Sequence, residues 1–253
     1  DIACQDEEDA RKFRALGANP AQLHVLGSLK FDLDPHRVSA IHTSLKTLFE
    51  PEIHTKPLLL GASTHQGEEI YLLNALKELV RGPLEARLLL APRHPDRAEK
   101  ISKEAIQRGF LVQKRSTMLK LELDTDVVIL DSIGELSGFF SWASVVFIGG
   151  SLVPRGGHNP LEAAQLGCAI VQGPDMVNFQ GVADALLADG GAVTVHDAKD
   201  LASVVGQMFE DRELWLERTK AAEMVAKGNS DVIDRVCDVI KPIVMSALRL
   251  SLI

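Results

Sequence analysis

The chain has 253 residues, 46% of them hydrophobic and 25% charged, with a formal net charge of -8. That is an ordinary globular composition, long enough for one large α/β domain with extensions, and it excludes disorder and collagen-like repeats. The acidic balance argues against broad nucleic-acid binding, which needs a cationic face, so an anionic ligand has to be held by a local cluster.

The first residues, "DIACQDEEDA", are acidic where a signal peptide would be basic, and no run reaches the roughly 18 to 20 apolar residues of a membrane span, so the chain as given reads as soluble and cytoplasmic. "QDEEDARKFRALGA" reads as a helix with Ala10, Phe13 and Leu16 on one face and Gly17 as its stop. With no initiator Met, it looks like a helix entered in mid-architecture, and the chain reads as a fragment. A short strand, "LHVLGSLKFD", follows, and then a polar helical connector over about 35–49.

From Pro57 the pattern alternates. "KPLLLGAS" reads as a strand and "GEEIYLLNALKELVRG" as a helix with Ile70, Leu73, Leu76 and Val80 on its apolar stripe. "EARLLLAP" is a strand and "DRAEKISKEAIQRG" a helix ending at Gly109; "DVVILDS" is a strand and "GELSGFFSWA" a helix. "SVVFIGG", "CAIVQGP" and "GAVTV" are further strands, with "NPLEAAQLG" and "FQGVADALLADG" as the helices between them. Residues 198–253 are helical, and the closing "IKPIVMSALRLSLI" is apolar enough to need a partner surface. Strands written as continuous apolar runs are buried on both faces, which predicts an α/β fold with a doubly wound parallel sheet. Cys4, Cys168 and Cys237 have no motif spacing and read as reduced thiols without a chemical role.

In such sheets ligands bind beyond the carboxyl ends of the strands. The unusual residues fall in those strand-to-helix loops. The most unusual is "FIGGSLVPRGGHNPLEAAQLG", with five glycines and two prolines around an Arg, a His, an Asn and a Glu. Asn159 reads as a helix N-cap, Pro160 as the first helical residue before Leu161, and Glu162 as the partner closing a capping box. The glycines Gly149, Gly150, Gly156 and Gly157 exceed what capping requires. They permit positive φ and close approach of a ligand to backbone, and a glycine loop before a helix start is a phosphate site. Glu162 suits the hydroxyls of a ribose. An elaborate cap is the competing reading of the same segment. "PRHPDR" offers the forks of Arg93 and Arg97 beside Pro92 and His94 to a phosphate or carboxylate, or is a solvated turn. "DSIGEL" offers the amides of Ile133 and Gly134 and the carboxylate of Glu135 to a base or sugar. Ser63, Thr64 and His65 suit an anion, although either hydroxyl can also be a simple cap. His65, His94 and His158 lack ligand spacing and any companion Cys, so no metal and no cofactor is expected. G-x-S-x-G, Walker A and G-x-G-x-x-G motifs do not occur.

The loops together resemble one family. "GSLKFD", "GASTHQGEE", "APRHPDR", Arg115 and Ser116, "DSIGELS", "FIGGSLVPRGGHNPLEAA" and "GPDMVNFQ" occur in the order and spacing of the Kdo transferases, over about residues 1–190. These enzymes move 3-deoxy-D-manno-octulosonic acid from its cytidine monophosphate ester to lipid A precursors. The resemblance implies a Rossmann-like C-terminal domain of an inverting, metal-independent GT-B glycosyltransferase of lipopolysaccharide biosynthesis. By motif it places Pro92, Arg93, Ile133, Gly134, Glu135, Asn159, Pro160, Leu161 and Glu162 on the CMP-binding positions. Ser63, Thr64, His65, Gly156, Gly157 and His158 are added as substrate-binding candidates. The departures are "AAQLG" after Glu162 and Ile133 where Met is frequent.

It further implies that residues 1–30 are the remnant of an N-terminal acceptor domain, 31–56 a helical connector, 57–235 the CMP-Kdo domain and 236–253 a helical tail. The general base, the lipid A precursor site and the membrane-associating segment would all lie in the missing domain. The intact protein is then expected at the cytoplasmic face of the bacterial inner membrane, and this chain alone is expected to be inactive. No nucleic-acid partner is expected, and the sequence is silent on oligomeric state. Two other readings stay open: a GT-B transferase or epimerase using a uridine sugar nucleotide, and a non-catalytic domain binding a phosphorylated ligand or a protein.

Overall fold

The computed structural model describes residues 1–29, 34–228 and 231–250; of the expected "GSLKFD" segment and the apolar C-terminal run, residues 30–32 and 251–253 lie outside the described residues. The chain divides into two compact units, Asp1–Asp34 with Lys227–Ile253, and Pro35–Ala226.

In the smaller unit β1 (Ile2–Cys4) and β2 (Leu23–Val25) pair in parallel, joined through α1 (Glu7–Ala15). Asp6 caps α1 by accepting the Asp9 amide at 2.8 Å, and Gly17 ends it with φ +92°. Of the three residues expected on its apolar face only Ala10 is buried. Phe13 and Leu16 are exposed, Leu16 at 84%. The unit is completed by α10 (Val232–Leu250), where Arg235 Nε donates to the Leu26 carbonyl at 3.1 Å. Among the described residues no helix is long and apolar enough to cross a membrane.

The larger unit begins with α2 (Pro35–Phe49), the helix read from sequence as a connector. It is packed, not bridging: Leu45 and Phe49 are fully buried, and Phe49 meets the edge of Phe139 on α5 (Leu136–Phe139) with centroids 4.9 Å apart. Then come β3 (Leu58–Thr64), α3 (Glu68–Leu79), β4 (Arg87–Pro92), α4 (Ala98–Gln107), β5 (Val112–Lys114) and β6 (Val127–Ile129). After α5 follow β7 (Val145–Ile148), α6 (Leu161–Gln165), β8 (Ala169–Gln172), α7 (Gln180–Ala188), β9 (Ala192–Thr194), α8 (Ala198–Glu210) and α9 (Arg212–Gly228).

Seven strands form one sheet in the order β5-β6-β4-β3-β7-β8-β9, every pairing parallel. The doubly wound parallel sheet is the one the apolar strand runs foretold; leaving out the edge strand β5, its order is 3-2-1-4-5-6. Leu58 to Leu60, Val127 to Ile129 and Val145 to Phe147 are all at or below 1% exposure because helices cover both faces. The apolar stripe of α3 lies one residue away from the expected phase. Leu72, Leu73, Leu76 and Leu79 are buried, while Ile70 and Val80 are exposed. Successive strands are added toward one edge up to β6 and toward the other from β7, so the carboxyl ends of the parallel neighbours β3 and β7 form the switch point where a ligand crevice opens.

Candidate functional site

At the end of β3 the backbone is irregular. Its register against β4 shifts between Ala62 and Thr64, and Ser63 sits at φ +56°, a left-handed conformation unusual for a residue with a side chain. The bulge brings Ser63 against β7: a Cβ on Gly149 would lie 2.2 Å from the Ser63 carbonyl oxygen, so only glycine fits there. Ser63 thereby faces two adjoining cavities. One, of about 190 Å³, is lined by Ser63, Leu136, Phe140, His158, Asn159, Glu162 and Phe179 among others. The second, of about 230 Å³, is lined by Ser63, Pro92, Arg93, Ser132, Ile133, Gly134 and Leu136 among others. Eight of the residues singled out from sequence therefore converge: Ser63, Pro92, Arg93, Ile133, Gly134, His158, Asn159 and Glu162.

The others play different parts. Thr64 is fully buried and donates its hydroxyl to Glu69 Oε1 at 3.0 Å, so it faces the interior. Pro160 and Leu161 are buried beneath the loop. Gly156 and Gly157, at φ +80° and +69°, are buried as well, pressed against Asn178 and Met176. The Glu135 carboxylate is engaged by Arg115 Nη2 at 2.7 Å and by the Ser132 hydroxyl, which leaves the Ile133 and Gly134 backbone as the open part of that loop.

The expected phosphate nest is occupied from within. Gly150, Ser151 and Leu152 donate their amides to the Glu68 carboxylate at 2.7, 3.0 and 3.0 Å, and the His65 amide adds a fourth bond at 2.7 Å. Further along, Gly156 donates to Asp175 Oδ2, Gly157 to the Gly150 carbonyl and His158 to the Gly149 carbonyl. Those amides hold the loop's own shape. Glu68, fully buried, was the residue the sequence reading passed over; an acidic first turn is ordinarily a helix-dipole feature. Its neighbour Glu69 is likewise buried and receives a bidentate fork from Arg97 at 2.8 and 2.9 Å.

The capping box also differs from expectation. Asn159 Oδ1 accepts the Leu161 amide at 3.0 Å, but among the described residues Glu162 makes no hydrogen bond. Its carboxyl lines the first cavity, where burial raises its pKa and the charge of Arg37 opposes the rise. Arg93 and Arg155 are the matching free cations, since among the described residues neither guanidinium has an ion-pair or hydrogen-bond partner. His158 Nε2 lies 2.9 Å from His65 Nε2. Burial, then His65, Arg93 and His94, push the His158 pKa down to about 4, and burial followed by Arg155 lowers that of His65. Among the described residues no three His, Cys, Asp or Glu side chains converge as a metal site. What the arrangement offers is a cleft with Arg93 on one wall, open backbone at Ile133 and Gly134, and the Glu162 carboxylate, which makes no hydrogen bond among the described residues.

Comparison with known proteins agrees with the motif reading. A family profile described as 3-deoxy-D-manno-octulosonic-acid transferase (kdotransferase) matches residues 1–33. The 3-deoxy-D-manno-octulosonic acid transferase of Haemophilus influenzae is 30% identical over 95% of this chain and 56% of its own length. That of Rickettsia conorii is 32% identical over 94% and 51%. The chain thus spans about half the length of the curated relatives it matches. Among solved structures, the C-terminal CMP-Kdo binding domain of WaaA from Acinetobacter baumannii superposes with a TM-score of 0.69 at 25% identity, covering 76% of this chain and 98% of that one. Anabaena HepE, solved with UDP and glucose, shares the fold at a TM-score of 0.57 and 13% identity, over 95% and 63%. By sequence and fold together, the chain is similar to the 3-deoxy-D-manno-octulosonic acid transferases along nearly its whole length.

Proposed function

We propose that this chain is the donor-binding part of a Kdo transferase and holds the CMP moiety of CMP-Kdo in the two adjoining cavities. The observation that carries the reading is the convergence of the motif residues. Pro92 with Arg93, Ile133 with Gly134, and Asn159 with Glu162 come from three separate loops and line one crevice at the switch point. In this reading Arg93 takes the phosphate through its fork, Glu162 accepts from the ribose hydroxyls, and the Ile133–Gly134 backbone faces the base. The similarity to the CMP-Kdo binding domain of A. baumannii WaaA supports cytidine as the base.

The reaction of the whole enzyme is then attack of an acceptor hydroxyl on the anomeric carbon with inversion, CMP departing. Because the Gly150 to Leu152 amides are already committed to Glu68, the charge growing on the leaving phosphate falls to Arg93, Arg155 and the adjacent histidines, without a metal. The general base, the lipid A precursor and the contact with the inner membrane belong to a domain preceding this chain, which alone turns nothing over.

Calorimetric titration with CMP, and with UMP and AMP as controls, tests this. Saturable binding that prefers CMP and weakens about 10- to 100-fold in both Arg93→Ala and Glu162→Ala is expected, the range set by hydrogen bonds to charged groups. Equal binding of all three nucleotides would overturn the donor assignment.

A further inference from the structure

The rings of His65 and His158 lie within 4° of parallel, with centroids 5.1 Å apart and Nε2 atoms 2.9 Å apart. The centroid separation exceeds the Nε2 separation by about two ring radii, so the rings meet edge to edge in one plane and not face to face. That is the geometry of an in-line N–H···N hydrogen bond, in which one Nε2 donates and the other accepts. A neutral pair uses a single proton in the bridge. One further proton goes to Nδ1 of the donating ring, turning the bridge into a charge-assisted imidazolium–imidazole bond; a second would set two N–H groups against each other. The pair therefore has capacity for one proton while it stays joined.

Its surroundings set when that proton binds. The loop after β4 brings Arg93, His94 and Arg97, and the loop after β7 brings Arg155. A Cβ on Gly150 would touch Arg155, His158 and His65 alike at 3.4 Å, which places all three around one backbone point. The nearby acids are Glu68, Glu69, Asp175 and Glu162. The first two are spent on backbone amides and Arg97, Asp175 on the Gly156 amide, and Glu162 shares the cavity that His158 lines. Of the cations around the pair, Arg97 is thus balanced by Glu69, while Arg93 and Arg155 have no ion-pair partner among the described residues, on a chain whose net charge is -8.

We propose that the His65–His158 pair, within the electrostatic reach of Arg93 and Arg155, whose guanidinium groups have no partner among the described residues, receives the phosphate of the nucleotide and takes up one proton from solvent as the dianion settles. The inference rests on the donor-site reading and adds to it. Breaking the bond from the anomeric carbon to the phosphate oxygen leaves the electron pair on that oxygen, so CMP carries one more negative charge than its ester did. A pair that binds a proton in answer to that charge holds the product phosphate more tightly than the ester, and its grip relaxes as pH rises.

The test uses the full chain labelled with ¹⁵N-histidine, the two rings being assigned through His65→Gln and His158→Gln. Imidazole titrations are recorded alone, with sulfate, which stays dianionic throughout, and with CMP. Either anion should raise the shared midpoint by about one pH unit or more, as an opposite charge at close range does, and both rings should respond together. An unchanged midpoint at saturating anion, or a response confined to other histidines, overturns the proposal. CMP that binds in a Glu162-dependent way without moving the pair leaves the donor reading standing and removes this one. Sulfate that moves the pair while CMP does not bind removes the donor reading and this inference with it, and leaves only a general anion site at the two rings.

Discussion

The Glu68 carboxylate accepts the Gly150 amide at 2.7 Å, across 82 residues of chain, and in doing so fills a backbone nest with the protein's own anion. Both oxygens are used, since Ser151 and Leu152 donate to Oε1 and His65 to Oε2. Burial raises the carboxyl pKa and the four amides oppose it. In Glu68→Gln the carboxamide NH₂ is forced against amide donors in a fully buried site. A loss on the order of 3 kcal/mol in unfolding free energy, read from urea midpoints at constant slope, is expected. Crevice binding should suffer with it, because the loop carrying Arg155 and His158 is held by these bonds. An unchanged midpoint would mean that the nest is satisfied in some other way.

The contact of Gly149 with Ser63 makes a second prediction. A Cβ at Gly149 would meet backbone atoms of Ser63 and Ala62 at 2.2 to 2.7 Å, and backbone does not yield as a side-chain tip does. Gly149→Ala should cost about 3 kcal/mol or more, through displacement of β3 from β7. Gly181→Ala in α7 has nothing within 4 Å of the new methyl, so it should be neutral to stabilising by about 0.5–1 kcal/mol. Thermal unfolding of the pair decides; equal effects would show the close approach to be unimportant.

These two residues mark where reading from sequence succeeds and fails. The sheet was legible because its signal is local: "KPLLLGAS", "EARLLLAP" and "SVVFIGG" each carry burial on both faces in their own letters. β5 was not, since Val112, Gln113 and Lys114 form a three-residue, half-buried edge strand that only its partner β6 defines. The stripe of α3 slipped by one because "EEIYLLNALKEL" has apolar residues at adjacent positions, and α8, more than 100 residues on, chooses among them. The loops were found through the strand-end rule. Which of their polar groups face the crevice and which are consumed internally depends on partners far along the chain, as Glu68 and Glu135 show.

Stability should also carry a signature of His158. Its folded pKa of about 4 lies below the ordinary 6.5, so between those values the unfolded chain binds a proton that the folded one refuses. Folding free energy is therefore lost as pH falls from about 6.5 toward 4 and is unaffected by this group above that window. Glu162 and Glu68, raised in the fold, act in the opposite sense, so the contribution appears in the difference between wild type and His158→Gln. For a half-exposed ring that difference should change by about 1 kcal/mol across the window after solvent screening. Parallel pH–stability curves would place the His158 titration at its ordinary value.

Arg115 lines neither cavity, yet it should matter to binding. Its Nη2 holds Glu135 at 2.7 Å and Ser132 holds the other carboxylate oxygen, so the pair fixes the turn that presents the Ile133 and Gly134 backbone to the crevice. Removing the guanidinium in Arg115→Ala releases that turn and leaves the half-buried Glu135 without its countercharge. A loss of about 10-fold in CMP affinity, near 1.4 kcal/mol, is expected. Glu135→Gln keeps an acceptor for Arg115 and should lose less, whereas Glu162→Ala should lose more because, among the described residues, nothing hydrogen-bonds its carboxylate and it is left open to the ligand. This ranking separates scaffold from contact: a Glu135→Gln effect as large as that of Glu162→Ala would assign the Glu135 carboxylate to the nucleotide itself.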